Sequence, residues 1–261
     1  MNNYPEVMII GSNPHSYLNK LIDFVVCYFS IFKILRIIRM ESTFITEKTS
    51  NSDFENVSLT ELMNKYGSDK GSYHGYTNIY ESILKKKRQK IEMVLEIGIG
   101  TNDPELLSSM GKLGKPGASL RAWRDYLPNA KIMGLDIDRN IQFSEQSIVT
   151  EFVNQLSPAT FSPITKRLLR PIDLVIIDGL HTPRADFNSL VELLPFISSD
   201  GDLFIEDVGN LAMKFFWPPI LTILRKKYSI GKYSLKEGNL LHLYRRKKEQ
   251  NSLAPSVAEP K

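Results

Sequence analysis

An alternation of short apolar runs and longer helix-like runs, which starts at residue 92, constrains the fold more than any other feature of this chain. The apolar runs are continuous stretches of valine, isoleucine and leucine bounded by turn residues, which is typical of strands covered on both faces. These runs lie at residues 93–98, 131–137, 148–153, 172–178 and 202–207. Helix-like stretches at 118–127 and 184–197 lie between them. The rhythm predicts an α/β fold with a Rossmann-like, doubly wound and mostly parallel sheet.

Two further runs near the carboxyl-terminal end bring the predicted sheet to seven strands. Residues 227–235 and 239–246 read as strands on either side of a turn at Gly238. This pair breaks the parallel pattern, and we expect the last strand to be antiparallel. We predict that the domain spans residues 92–248 and that the tail at 249–261, which contains Ser, Pro and Glu, is disordered.

An apolar segment and a linker are predicted at the amino-terminal end, in residues 1–56. Residues 21–38 are apolar but contain Asp23, Lys33 and Arg36, and charges within a membrane-spanning helix are costly. We therefore expect a packing or interfacial helix in this N-terminal extension. A membrane anchor, or a true start at Met40, stays open as an alternative. The polar residues that follow, 41–56, are typical of a linker.

Residues 57–91 are predicted to form a helical segment on the substrate side of the domain. Its first helix begins at a capping box, in which Ser58 is the cap and Glu61 follows three residues later. A second helix is expected from about Thr77, with the basic run at 85–90 as its solvated end.

Composition excludes several classes of protein. The single cysteine, Cys27, rules out an internal disulfide and a cysteine-based zinc site, and favours a reducing, cytoplasmic location. The 33 basic and 29 acidic residues give a net charge of only +4. No basic stripe with interleaved aromatics is present in the sequence, so we do not expect nucleic acid as a partner. Peripheral membrane contact through residues 21–38 stays open.

The first predicted strand ends in a glycine pair, Gly98 and Gly100, directly after Glu96. Ligands of open α/β sheets bind beyond the carboxyl ends of the strands, where two close glycines let the backbone turn against a flat ligand. A nicotinamide cofactor would favour a third glycine three residues later, where this chain has Asp103. The pattern therefore favours S-adenosylmethionine. An ordinary strand-to-helix turn is the alternative.

The second predicted strand ends at Asp136, whose carboxylate can accept hydrogen bonds from both ribose hydroxyls of an adenosine. Asp138, two residues later, could make this contact instead. Asp136 could also simply cap a loop.

Acidic residues also follow the last two predicted parallel strands. Asp178 ends one, with His181 three residues later, and Glu206 and Asp207 end the next. Adjacent strands lie about 5 Å apart, so these carboxylates should converge and repel one another unless a cation lies between them. Oxygen ligands of this kind suit Mg²⁺ or Mn²⁺, and a nearby histidine can accept a proton from a hydroxyl group. Helix-capping acids and a backbone-bonded histidine are the alternative interpretation.

From Tyr66 to Val208 the chain resembles a bacterial family of class I S-adenosylmethionine-dependent methyltransferases akin to the macrolide sugar O-methyltransferases. The matching text is YGSDKGSYHGYTNIYE, LEIGIGTN, GKPGASLRAWRDYLPNAKIMGLDIDR, and DGLH followed by IEDV. The resemblance implies Mg²⁺ held by Asp178 and Asp207, with Glu206 as a further acidic ligand. It also implies His181 as the general base.

This resemblance implies a methyltransferase that acts on a hydroxyl group of a small molecule or glycan, such as the sugar of a natural product. Asn154 stands where the family often has an aspartate, and can hydrogen-bond an adenine edge. The predicted cofactor-binding residues are Glu96, Gly98, Gly100, Asp136 and Asn154. A binding module without turnover is one alternative, favoured by Asn154 and by Ile177, a second departure from the family. An NAD(P)-dependent oxidoreductase is another, and a homo-oligomer stays open.

Overall fold

The computed structural model describes residues 31–39, 58–236 and 238–245. The predicted linker at 41–56, the tail at 249–261, Cys27 and the first part of the apolar segment lie outside these residues.

In the described part of the chain, eight strands form one sheet, in the order β3-β4-β2-β1-β5-β6-β8-β7. The strands are β1 Met93–Ile97, β2 Lys131–Asp136, β3 Ser144–Glu145, β4 Ile148–Phe152, β5 Ile172–Ile177, β6 Ile197–Ile205, β7 Tyr228–Ser234 and β8 Asn239–Arg245. The five central strands, from β4 to β6, are parallel, and β8 is antiparallel to both of its neighbours. The predicted fold class is confirmed, and so is the antiparallel last strand. The sheet has eight strands and not the predicted seven, because the two-residue β3 is too short to leave a pattern in the sequence.

Helices cover both faces of this sheet. They are α1 at 31–39, α2 Leu59–Tyr66, α3 Tyr76–Leu84, α4 Ala118–Tyr126, α5 Ser162–Thr165, α6 Pro183–Leu193 and α7 Trp217–Leu224. The hydroxyl of Ser58 accepts the backbone N–H of Glu61 at 3.4 Å, so α2 begins at the predicted cap. Thr182 caps α6 in the same way, ahead of Pro183. The basic run Lys85–Lys90 forms a 3₁₀ helix after α3.

The core consists of two apolar layers, one on each face of the sheet. Successive residues of a strand point to opposite faces, and so Leu95 joins the layer with α6 and α7 whereas Val94 joins the layer with α2, α3 and α4. Trp217 is fully buried in the first layer and Trp123 in the second. Burial on both faces is the physical reason that the strands are continuous apolar runs.

Helix α1 packs against the domain. Ile34 and Ile37 are buried in the same layer as α6, and Lys33 lies 3.8 Å from Glu192 of that helix. Residues 31–39 therefore form a helix that packs against the domain, which is one of the two forms expected for the apolar segment. Among the described residues, no helix is long and apolar enough to cross a bilayer.

Candidate functional site

The loop after β1 takes a conformation that requires glycine at two positions. Gly98 and Gly100 have φ values of +85° and +86°, in the left-handed region that L side chains rarely adopt. A Cβ atom on Gly98 would overlap the backbone carbonyl of Asp178, at the end of the neighbouring strand β5. The glycine therefore allows the loop to lie directly against the end of β5.

A cleft runs along the carboxyl ends of the central strands. It comprises a cavity of about 280 Å³ beside the acidic residues and a narrower one of about 40 Å³ beside Asn154. Gly98, Ser108, Asp136 and Gly179 line both cavities, so the two are parts of one cleft. Its position, where the strand order reverses beside β1, is the usual ligand site of doubly wound sheets.

Asp136 faces this cleft and is buried. Its carboxylate accepts the backbone N–H groups of Ile99 and Asp138, each at 2.9 Å. Burial raises the pKa of Asp136, against the effect of these hydrogen bonds. Asp138 lines neither cavity and instead accepts the hydroxyl of Thr101. Of the two aspartates considered from the sequence, Asp136 is the one on the cleft.

Asn154 and Glu96 both line the cleft but have further contacts. The side-chain oxygen of Asn154 accepts the N–H of Leu156 at 2.9 Å and so stabilises its own turn. Glu96 is fully buried, and its two carboxylate oxygens accept the Ser119 hydroxyl and the Trp123 indole N–H, each at 2.7 Å. Glu96 therefore anchors α4 to β1.

Asp178, His181 and Asp207 converge at the end of the larger cavity. Nε2 of His181 lies 3.8 Å from Oδ1 of Asp178 and 4.0 Å from Oδ2 of Asp207. One ligand atom from each residue lies within 4.8 Å of the others. Two carboxylate oxygens and an imidazole nitrogen at this spacing could hold a divalent cation. Glu206, predicted as a further ligand, is outside this group of three.

Two members of the group have an uncommon backbone conformation. His181 and Asp207 have φ values of +54° and +50°, and Ser147 is the third non-glycine residue with positive φ in the described part of the chain. Positive φ is uncommon outside glycine, although aspartate and histidine adopt it more readily than most other residues. Both residues contribute one atom to the group of three.

The segment from α2 to α3 supplies polar partners for these acidic residues. Lys70 contacts Asp178 and Glu206, Tyr80 donates to Glu206, and Tyr76 donates to Asp207. His74, in the same segment, stacks on Tyr76 and lies 3.9 Å from Oδ1 of Asp207. The sequence predicted a helical segment here but gave no sign of the contacts made by Lys70 and Tyr80.

The surroundings of Lys70 keep it positively charged. Burial alone lowers the pKa of Lys70, but the charges of Asp178, Glu206 and Glu96 more than offset this effect and raise the pKa well above its usual value. The ammonium group is therefore a fixed charge at the inner end of the cleft.

Comparison with known proteins agrees with this geometry. Residues 113–208 match the family described as "Methyltransferase domain". The chain is 29% identical over 160 residues to 8-demethyl-8-alpha-L-rhamnosyl tetracenomycin-C 2'-O-methyltransferase of Streptomyces olivaceus. It is 33% identical over 162 residues to demethylmacrocin O-methyltransferase of Streptomyces fradiae. Residues 113–208 are therefore similar to a methyltransferase domain, and the wider match is to O-methyltransferases that act on natural products.

The matched region covers 61% of this chain, but only 39% of the Streptomyces olivaceus protein and 38% of the Streptomyces fradiae protein. The chain thus spans about two fifths of the length of these relatives. The fold also resembles the solved structure of the MycE methyltransferase from the mycinamycin biosynthetic pathway in complex with Mg and SAH. That match has a TM-score of 0.60 at 23% identity, and covers 77% of this chain and 58% of MycE.

Asp186 is a buried acidic residue, close enough to feel the charges of Asp178 and Asp207, that sequence reasoning missed. It lies in the first turn of α6, is 2% exposed, and its Oδ1 atom has no hydrogen-bond partner among the described residues. Burial raises the pKa of Asp186 well above its ordinary value, and the charges of Asp178 and Asp207 raise it further. The spacing of acidic residues could not reveal it, because an aspartate in the first turn of a helix is ordinarily exposed.

A cavity of about 320 Å³ lies at the opposite, amino-terminal edge of the strands. Two of the acids that line it hold neighbouring chain segments: Asp202 pairs with Lys87, and Asp173 accepts the N–H groups of Glu92 and Met93. These contacts stabilise the chain ahead of β1. The residues predicted to bind cofactor and metal lie in the cleft at the other edge.

Proposed function

We propose that this chain transfers the methyl group of S-adenosylmethionine to a hydroxyl group of a small molecule or glycan, with the help of a divalent cation. One observation carries this proposal: a single cleft joins the glycine loop and Asp136 to the cluster of Asp178, His181 and Asp207. A methyl donor at the first end and an acceptor hydroxyl at the second would meet within one cavity.

The cofactor would lie along the strand ends. In this proposal Asp136 accepts the ribose hydroxyls and Asn154 contacts the adenine edge, while Gly98 and Gly100 allow the backbone to approach the ligand closely. Glu96 acts from behind by holding α4. When bound, S-adenosylmethionine supplies an electrophilic methyl group on its sulfonium.

The chemistry of the acidic cluster fits Mg²⁺ or Mn²⁺. Asp178 and Asp207 each have one oxygen held by the α2–α3 segment, by Lys70 and Tyr76 respectively, and the other oxygen directed toward His181. These two oxygens would be the ligands, because hard cations prefer carboxylate oxygen. Glu206 would contribute only after a change in its contacts with Lys70 and Tyr80. When bound, the cation lowers the proton affinity of the acceptor hydroxyl.

His181 would accept the proton of the acceptor hydroxyl. Its ring is partly exposed and lies too far from either carboxylate for a direct hydrogen bond, so the nitrogen is available to a substrate. The remaining task of the protein is alignment of sulfur, methyl and oxygen, an effect worth roughly 7–11 kcal/mol when the geometry is near ideal.

The relatives support a glycosylated acceptor. The Streptomyces olivaceus relative is named for a rhamnosyl tetracenomycin, which carries a sugar, and for transfer to the 2' oxygen. We therefore propose a sugar hydroxyl as the acceptor class. A cytoplasmic location, peripheral membrane contact through residues 21–38 and a homo-oligomer remain predictions. Carbonate extraction of membranes tests the membrane contact through residues 21–38. A peripheral contact should be lost in this wash, whereas a spanning segment would stay in the pellet.

Calorimetry and a transfer assay test the proposal together. Titration with S-adenosylhomocysteine should give binding in the micromolar range, and titration with NAD should give none. Transfer to a panel of glycosides should require added Mg²⁺ or Mn²⁺ and stop on addition of a chelator. Binding of NAD without a response to S-adenosylhomocysteine would contradict the cofactor, and full turnover in the chelated sample would contradict the metal.

A further inference from the structure

Lys70 is a positive charge enclosed by carboxylates. It lies between α2 and α3, and its side chain is 3% exposed. Its Nζ atom contacts Oδ2 of Asp178, and lies 2.7 Å from Oε2 of Glu206 and 3.6 Å from Oε1 of Glu96. The other oxygen of Glu206 accepts the hydroxyl of Tyr80.

The position of Asp178 distinguishes this arrangement from an ordinary buried ion pair. Its Oδ2 atom contacts Lys70, while its Oδ1 atom faces His181 on the side of the proposed metal site. One carboxylate is therefore shared by the lysine and by the group that would hold the cation. Two positive charges that share a ligand repel each other, and the repulsion is strong where water is largely absent.

We infer that Lys70 is an internal counter-cation, which stabilises the acidic cluster in the metal-free protein and weakens the affinity of that cluster for a divalent ion. The inference rests on the proposed metal site. In the metal-free state, Lys70 offsets the repulsion among Glu96, Asp178 and Glu206 and keeps the ligands assembled. In the metal-bound state, the same charge opposes the ion.

A calorimetric titration with Mn²⁺ in the absence of cofactor tests this inference. Lys70→Met and Lys70→Gln remove the charge, Lys70→Arg retains it, and Lys65→Met is the matched control because Lys65 is 63% exposed and pairs with Asp125 at the surface of α4. The two neutral variants should bind Mn²⁺ roughly tenfold more tightly than the native chain, or better. Lys70→Arg and Lys65→Met should retain native affinity.

Thermal unfolding supplies a second measurement. Without metal, the neutral variants should unfold at a lower temperature than the native protein, and Mn²⁺ should raise their unfolding temperature more than it raises that of the native chain. A purely structural lysine would lower the unfolding temperature without tightening metal binding. If Lys70→Met does not fold without metal, refolding in Mn²⁺ must recover it, since the ion supplies the missing charge.

The outcomes separate this inference from the proposed function. A native chain that binds no Mn²⁺ overturns the metal site, and the inference with it. A native chain that binds Mn²⁺, together with neutral variants of equal or weaker affinity, overturns the role of Lys70 alone. Failure of Mn²⁺ to recover an unfolded Lys70→Met chain would also overturn the role of Lys70 alone.

Discussion

The α-carbon of Gly98 lies directly against the backbone carbonyl of Asp178, with no room for a side chain between them. This contact joins the loop beside the proposed cofactor site to the strand end that carries the proposed metal ligand. The spacing between the proposed methyl-donor site and the proposed metal site therefore depends on a glycine at position 98.

Gly98→Ala should destabilise the protein strongly, because the new methyl group overlaps backbone atoms that cannot move aside and φ is also unfavourable. We expect a loss of roughly 4 kcal/mol or more in the free energy of unfolding, measured with urea. Gly111→Ala is the control, since Gly111 has a φ of +70° but no atom within 4 Å of a Cβ. It should lose only about 1–2 kcal/mol. Equal losses would mean that backbone strain, and not the contact, makes glycine necessary at position 98.

Asp136→Ala should weaken binding of S-adenosylhomocysteine, because it removes the charged acceptor that faces the cleft. The expected loss is roughly 1.5–3 kcal/mol for each hydrogen bond to the ribose, measured by calorimetry. Asp138→Ala is the comparison, since Asp138 is buried nearby but lines neither cavity. A larger loss of affinity in Asp138→Ala would mean that Asp138, and not Asp136, makes the ribose contact.

Asp178→Asn and Asp207→Asn should each raise the Mn²⁺ concentration needed for methyl transfer, because each removes a charged oxygen ligand. Half-maximal activation is read from transfer rates across a Mn²⁺ titration. Asp125→Asn, at the surface of α4, should leave this concentration unchanged. Variants with a native metal requirement would show that the two acids are structural.

His181→Ala should slow transfer by ~10²–10⁴, the usual contribution of a general base, and should leave binding of S-adenosylhomocysteine intact. His74→Ala is the informative comparison, because His74 also lies within 4 Å of Asp207 but on the side held by Tyr76. A greater loss of rate in His74→Ala than in His181→Ala would transfer the role of base to His74.

Asp186 should make the stability of the metal-free protein depend on pH. Because burial and two neighbouring charges raise its pKa in the folded state, the folded protein holds this proton more tightly than the unfolded chain does. The resulting stabilisation is complete below about pH 3.9, the ordinary value, and is lost as the pH rises through the raised pKa.

Asp186→Asn should remove this loss of folding stability at rising pH. The variant should therefore be at least as stable as the native protein at neutral pH. Urea unfolding at several pH values, with a chelator present, measures the effect. Asp200→Asn, at an exposed aspartate, should follow the native curve. A native protein whose stability rises with pH to the same extent as the Asp186→Asn variant would contradict this account.

The sequence by itself determined the central strands of the sheet and the residues at their carboxyl ends. Strands covered on both faces must be continuous apolar runs, so β1, β2, β4, β5 and β6 were recognisable one by one. Because parallel strands end at one edge, the order of residues along the chain sufficed to assign Asp136, Asp178 and Asp207 to a common cleft. Local patterns carry this information, since each depends on residues that are close in the chain.

Only the tertiary structure decided which groups complete the acidic cluster. Lys70 lies 108 positions from Asp178 and 136 positions from Glu206, and Tyr80 lies 126 positions from Glu206. No periodicity links residues that are so far apart. Their contacts arise because α2 and α3 pack on one face of the sheet and bring Lys70 and Tyr80 to the acidic residues near the carboxyl ends of its strands. The sequence therefore specified the acids, and the packing of a separate segment determined which of their oxygens remain available for a metal ion.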